Sequence, residues 1–129
     1  MPELIDLGAI PPASTLLWLA LGLAVVPALA EEFVFRGLLI RRDASGQLLL
    51  WTVPVSLAAY VGWHPIAAII LMPAAWPLFT DVRFLLIVAV LGAACTTLYL
   101  RSGSLWPGVA VHWSIVFGWK ALGGERFLV

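Results

Sequence analysis

Two adjacent carboxylates, Glu31 and Glu32, an arginine one helical turn later, Arg36, and two histidines, His64 and His112, are the side chains here best suited to moving a proton. They sit in apolar surroundings: Thr15 to Ala30 carries no charge, and Gly37-Leu38-Leu39-Ile40 follows Arg36. Placing an ionisable group in hydrocarbon costs roughly 3 kcal/mol on insertion scales, so groups kept there are read as functional. Glu32 and Arg36 are spaced i, i+4, stack on one helix face and can pair. Glu31 points about 100° away, toward a different neighbour. A glutamate and a histidine together can take a proton from water near neutral pH and return it to a leaving group. A second histidine can offer an N–H to a developing oxyanion. Hydrolysis inside a membrane is the chemistry this set points to.

The elements that must position these groups follow from composition and patterning. The chain is 63% hydrophobic and 11% charged, with a mean hydropathy of +1.05. Soluble domains carry about a quarter charged residues, so the class is a membrane protein. Zero net charge and the lack of a basic run exclude nucleic acid as an expected partner. Cys95, the sole cysteine, allows neither an intrachain disulfide nor a cysteine-rich metal site.

Four hydrophobic blocks predict an all-α fold: a polytopic transmembrane bundle of about four helices, the second broken by prolines. The first runs from about Thr15 to Ile40, entered through Pro11-Pro12 with Ser14 as N-cap. At helical rise it reaches roughly 39 Å, longer than a ~30 Å hydrocarbon core, so it tilts or protrudes. Ala28-Leu29-Ala30 resembles a signal-peptide cleavage site, but residues 1–14 hold no Lys or Arg, so the segment is read as a retained helix. The second block, Gln47 to Thr80, predicts a helix over about Thr52–Trp63 with Pro54 in its first turn, then a broken, partly interfacial piece. The third helix runs from Arg83 to Leu100. The fourth starts at Ser104, with Pro107 in its first turn, and ends near Lys120. Arg41, Arg42 and Arg101 on one side balance Arg83, Lys120 and Arg126 on the other, so charge leaves the orientation open.

A depth count brings the polar groups together. Glu31 lies about 15 Å from the face marked by Arg41, and His64 about 15 Å from the same face if its helix starts at Pro54. His112 lies about 12 Å below Ser104. A helix starting at Gln47 would instead put His64 at roughly 26 Å and spoil the agreement.

Taken in order, these residues resemble a known family. Glu31-Glu32-x-x-x-Arg36, Tyr60-x-x-x-His64 and His112, with the run Leu98 to Pro107 before the last, are similar to the motifs of the CPBP intramembrane proteases. These are the CAAX-processing and bacteriocin-processing proteins of the CAAX prenyl protease 2 / lysostaphin resistance protein A-like type. The resemblance implies a metal-independent glutamic endopeptidase in which Glu31 and His64 activate water and His112 helps hold the oxyanion. Glu32 and Arg36, with Tyr60, become supporting residues. It also implies a division into a polar lead, 1–14, a CAAX prenyl protease 2-like transmembrane domain, 15–122, and a tail, 123–129.

Two positions depart from the family pattern. Val116 stands where Asn or Asp is usual, four residues after the third-motif histidine, and Tyr60 stands where Phe is usual. Val116 cannot donate a hydrogen bond, and the loss of one oxyanion donor costs about 2.7–4 kcal/mol in known hydrolases. The expected function is thus an intramembrane peptidase acting on a membrane-associated CAAX-type or bacteriocin-related peptide. The alternative is a catalytically impaired relative serving as an immunity or partner-binding protein. No cofactor is expected; a zinc site built from Glu31, His64 and His112 is the alternative, weakened by the lack of a His-Glu-x-x-His spacing. The expected partners are the lipid bilayer and a peptide or protein substrate, with a homo-oligomer left open. The expected location is the cell membrane, as a multi-pass integral protein.

Overall fold

The computed structural model describes residues 12–41 and 46–122. Most of the expected lead, all of the tail, and Arg42 and Arg126 lie outside them. Every regular element among the described residues is helical, in keeping with the expected class.

The first helix, α1, spans Ala13–Leu38. Pro12, not Ser14, occupies its N-cap position, with φ −58° and ψ 154°. Proline's fixed φ suits the entry to a helix, and Leu16 N–H closes the first turn on the Pro12 carbonyl at 3.0 Å. The expected single helix is instead divided at Val26, whose φ −131° and ψ 118° are extended. The cause is local: the residue before a proline is pushed out of the helical region, and Pro27 follows. Wide π-type turns flank the two glutamates, over Ala24–Leu29 before them and Phe33–Leu38 after them. The second half of α1 thereby takes its own direction, carrying Glu31, Glu32 and Arg36 as a unit.

The second helix, α2, spans Gly46–Ile70, longer at both ends than the expected Thr52–Trp63. Pro54 and Pro65 lie within it. Each proline removes one backbone hydrogen bond, but ending a helix inside hydrocarbon would strand several polar groups, so continuing is the cheaper solution. The expected proline break occurs at Pro73, which opens a 3₁₀ turn, Pro73–Ala75, leading into the short α3, Trp76–Phe79.

Helix α4 spans Val82–Ser102, and α5 spans Trp106–Ala121. Asp81 caps α4 by accepting the Arg83 backbone N–H at 2.9 Å. The helix ends at Gly103 with φ 74°, a left-handed cap that a side chain would strain. Pro107 sits in the first turn of α5, as expected.

Helices α1, α2 and α4 are each long and apolar enough to cross a membrane. The 16 residues of α5 reach about 24 Å. Burial follows the inverted logic of a protein in lipid. Glu32, Arg36, Ser56, His64, Thr96 and His112 are buried, while Leu50, Trp51, Ile70 and Val90 are exposed.

The register between α1 and α2 rests on three contacts. Ser56 Oγ donates to the Phe35 carbonyl, the Arg36 guanidinium lies 4.3 Å from the Tyr60 ring centroid, and Trp63 Nε1 donates to Glu31 Oε1 at 3.2 Å. The two segments therefore run antiparallel. Trp113 Nε1 ties α5 to the first half of α1 by donating to the Ala20 carbonyl at 2.8 Å.

Candidate active site

The centre of the bundle is a fully buried arginine. Arg36 Nη1 donates to Glu32 Oε1 at 3.2 Å, Nη2 to the Gly92 carbonyl at 2.8 Å, and Nε to Thr96 Oγ1 at 3.3 Å. One guanidinium fork thus joins α1 to α4, while its face stacks on Tyr60 of α2. The expected i, i+4 pair forms, with both side chains out of solvent contact.

Helix α4 can approach this closely because position 92 has no side chain. A Cβ on Gly92 would lie 2.7 Å from Tyr60 Cδ1 and 2.8 Å from Leu57 Cδ1. A second close approach, at Gly108, brings α5 against Glu32: a Cβ there would lie 3.2 Å from Oε2. Neither glycine stood out among the residues read for chemistry. The run Gly92-Ala93-Ala94-Cys95 held the usable signal, since small residues on a membrane helix mark a tight crossing.

Glu32 also holds His112. Its Oε1 lies 2.9 Å from His112 Nδ1. An ionised carboxylate only accepts, so Nδ1 carries the proton and Nε2 is turned to the other side. There it faces Glu31 Oε2 at 3.6 Å and the Tyr60 hydroxyl at 3.5 Å. The two glutamates, 100° apart around α1 by helical phase, therefore meet opposite nitrogens of one imidazole.

Glu31 has two distinct oxygens. Oε1 accepts from Trp63, and Oε2 is buried with no hydrogen-bond partner. Buried polar atoms are nearly always satisfied, so an orphaned carboxylate oxygen marks a place for a proton, water or substrate group. In the sequence, the one sign of the Trp63 contact with Glu31 is its place immediately before His64.

His64 stands on α2 one turn from Tyr60. Its Nδ1 lies 3.0 Å from the Tyr60 carbonyl, which can only accept, so this nitrogen is the donor. The ring is packed edge-on against Tyr60, Phe79 and Phe84. Far from ending its helix at the interface, His64 is buried within it.

Glu31, Tyr60, His64 and His112 all line one cavity of about 400 Å³ whose walls are otherwise largely apolar. Val116 also lines it, one turn beyond His112, so the wall there is apolar. Ser114 is turned away and spends its hydroxyl on the Ala110 carbonyl. Of the sequence-derived set, Glu31, His64 and His112 share the cavity while Glu32 and Arg36 form the layer behind them. The imidazole beside Glu31 is that of His112. Among the described residues, no three or more His, Cys, Asp or Glu side chains are grouped so as to hold a metal ion.

This arrangement offers a carboxylate, two imidazoles and a phenol around an apolar space, which is what acid–base hydrolysis of a lipid-adjacent bond requires. No curated protein and no solved structure matches the chain. The family model described as Type II CAAX prenyl endopeptidase Rce1-like matches residues 13–118, a stretch that takes in Glu31, Glu32, Arg36, His64 and His112 and both glycine crossings. With most of its length so matched, the chain belongs to the Rce1-like family of type II CAAX prenyl endopeptidases, a family of membrane-bound CAAX-type proteases.

Proposed function

We propose that this chain is an intramembrane glutamic endopeptidase. In this reading Glu31 is the general base for a water molecule held in the cavity with His64. As the water oxygen attacks the peptide carbonyl carbon, its proton moves to Glu31, assisted by His64 from the wall of the same cavity. The carbonyl oxygen becomes an oxyanion facing His112, and the proton then passes to the departing amide nitrogen as the C–N bond breaks. Glu32 and Arg36 act through His112 by fixing its ring and the nitrogen it presents.

The observation that carries this reading is the orphaned, buried Oε2 of Glu31 in a residue that lines the same cavity as His64 and His112. The family description supports a prenylated CAAX C-terminus as the substrate class, and the apolar walls of the cavity fit a lipid-modified chain. A bacteriocin-related peptide is the other substrate class. No metal takes part in this scheme.

The test uses a quenched fluorogenic peptide ending in farnesylcysteine and three further residues, presented in detergent micelles to the purified chain. The parent protein is expected to cleave it, and Glu31→Gln is expected to lose at least about a hundredfold in rate while folding normally. Normal cleavage by Glu31→Gln would falsify the assignment.

The apolar wall at Val116 favours a second reading, a catalytically impaired relative that binds a membrane partner. A parent that cleaves nothing, with no activity gained by Val116→Asn, is the outcome that selects it.

A further inference from the structure

The oxyanion side of this cavity has a donor that none of the histidines provides. We infer that the Tyr60 hydroxyl is a catalytic oxyanion donor, taking the place left empty by the apolar side chain of Val116. This inference rests on the hydrolytic reading above.

Three observations lead to it. First, Tyr60 is 1% exposed, yet its hydroxyl reaches the polar centre, 3.5 Å from His112 Nε2. At that length the contact is at the limit of a hydrogen bond, so the O–H is weakly engaged and available. Second, the ring is held from four sides: the Arg36 guanidinium covers its face, and Phe35, His64 and His112 pack against it edge-on. A donor fixed in advance needs no reorganisation when charge develops, which is the source of oxyanion-hole catalysis. Third, an oxygen roughly 2.9 Å from both the hydroxyl and Nε2 would see the two atoms about 75° apart, so one oxyanion can accept from the hydroxyl and, when His112 is an imidazolium, from Nε2 as well.

Proton accounting favours the phenol over the imidazole. With Nδ1–H committed to Glu32, His112 can donate from Nε2 only as an imidazolium. A neutral tyrosine donates in either state of His112. The hydroxyl keeps the hole functional throughout the cycle, while Val116 supplies nothing polar at the turn beyond His112.

The experiment uses the same farnesylated fluorogenic peptide with the full chain in micelles. Tyr60→Phe keeps the ring and its packing and removes only the hydroxyl. Its kcat is expected to fall about 10²–10³-fold with KM within about twofold. Adding Val116→Asn to Tyr60→Phe is expected to recover at least a tenfold share of that loss, because an amide donor then returns to the same wall. A folded Tyr60→Phe protein that cleaves at the parent rate overturns the inference. A loss that Val116→Asn does not relieve also overturns it, since the hydroxyl would then act only as a structural partner of His112. Failure of the hydrolytic reading looks different: the parent itself is inactive, or Glu31→Gln retains activity.

Discussion

His112 and Glu32, eighty residues apart in sequence, are joined by a 2.9 Å hydrogen bond between Nδ1 and Oε1. The same oxygen accepts from Arg36 at 3.2 Å, so one carboxylate atom links the motif on α1 to the histidine on α5. The link decides which imidazole nitrogen is presented to Glu31. A neutral histidine has one donor and one acceptor, and the group holding one nitrogen dictates the role of the other.

Removing the charge of Glu32 tests that link. Glu32→Gln leaves Arg36 buried without a counter-charge, so the protein is expected to lose about 3 kcal/mol of stability. Cleavage should fall as well, because a neutral amide holds the His112 Nδ1–H more weakly than a carboxylate and can present an N–H in place of an acceptor. Denaturant unfolding in detergent alongside the peptide assay reads both, and an equally stable variant would show that the buried pair contributes little.

In the proposed scheme Trp63 is a positioning residue, holding Glu31 Oε1 from the wall of the same cavity. Trp63→Phe removes the N–H that Oε1 accepts at 3.2 Å and keeps an aromatic wall. The expected result is roughly a tenfold drop in kcat, since a misplaced group acts on the transition state, with KM little changed. A change in KM alone would recast Trp63 as a substrate contact.

Gly92 tests the packing that brings the helices together. In Gly92→Ala the new methyl would lie 2.7 Å from Tyr60 Cδ1, and overpacking of that kind costs about 1–3 kcal/mol. The displacement falls on Tyr60 and Arg36 together, so thermal stability and cleavage should decline in parallel. Parent-like behaviour in both would mean that α4 can move away freely.

Metal removal separates the glutamic scheme from the zinc alternative. The peptide assay is expected to be unchanged after prolonged treatment with a strong chelator, because Glu31, His64 and His112 are assigned here to proton transfer and oxyanion binding. Loss of activity restored by added zinc would transfer those residues to a metal site.

Helical rise alone lets His64 meet Glu31 only if the second helix starts late, yet α2 starts at Gly46 and both residues line the cavity. The Ser56–Phe35 contact explains the discrepancy. Gly46 lies ten residues before Ser56, about 15 Å, whereas Leu38 lies three residues after Phe35, about 5 Å. Helix α2 therefore overhangs the end of α1 by roughly 10 Å, and the two helix ends do not mark a common membrane face.

From the residues alone came the membrane class, the helical architecture, the Glu32–Arg36 pair and the candidate set of Glu31, His64 and His112. The class and architecture follow from composition, the pair from contacts within one helix, where 3.6 residues per turn fixes which side chains meet, and the candidate set from ionisable residues kept in apolar surroundings. Tertiary structure alone decided that His112 lies beside Glu31, that Glu32 holds it there, that Trp63 binds Glu31 and that the Tyr60 hydroxyl comes within 3.5 Å of His112 Nε2. Those contacts depend on how antiparallel helices slide and rotate against one another. Here that register is set by close approach at Gly92 and Gly108 and by the bend at Val26-Pro27, which periodicity along a single helix does not encode.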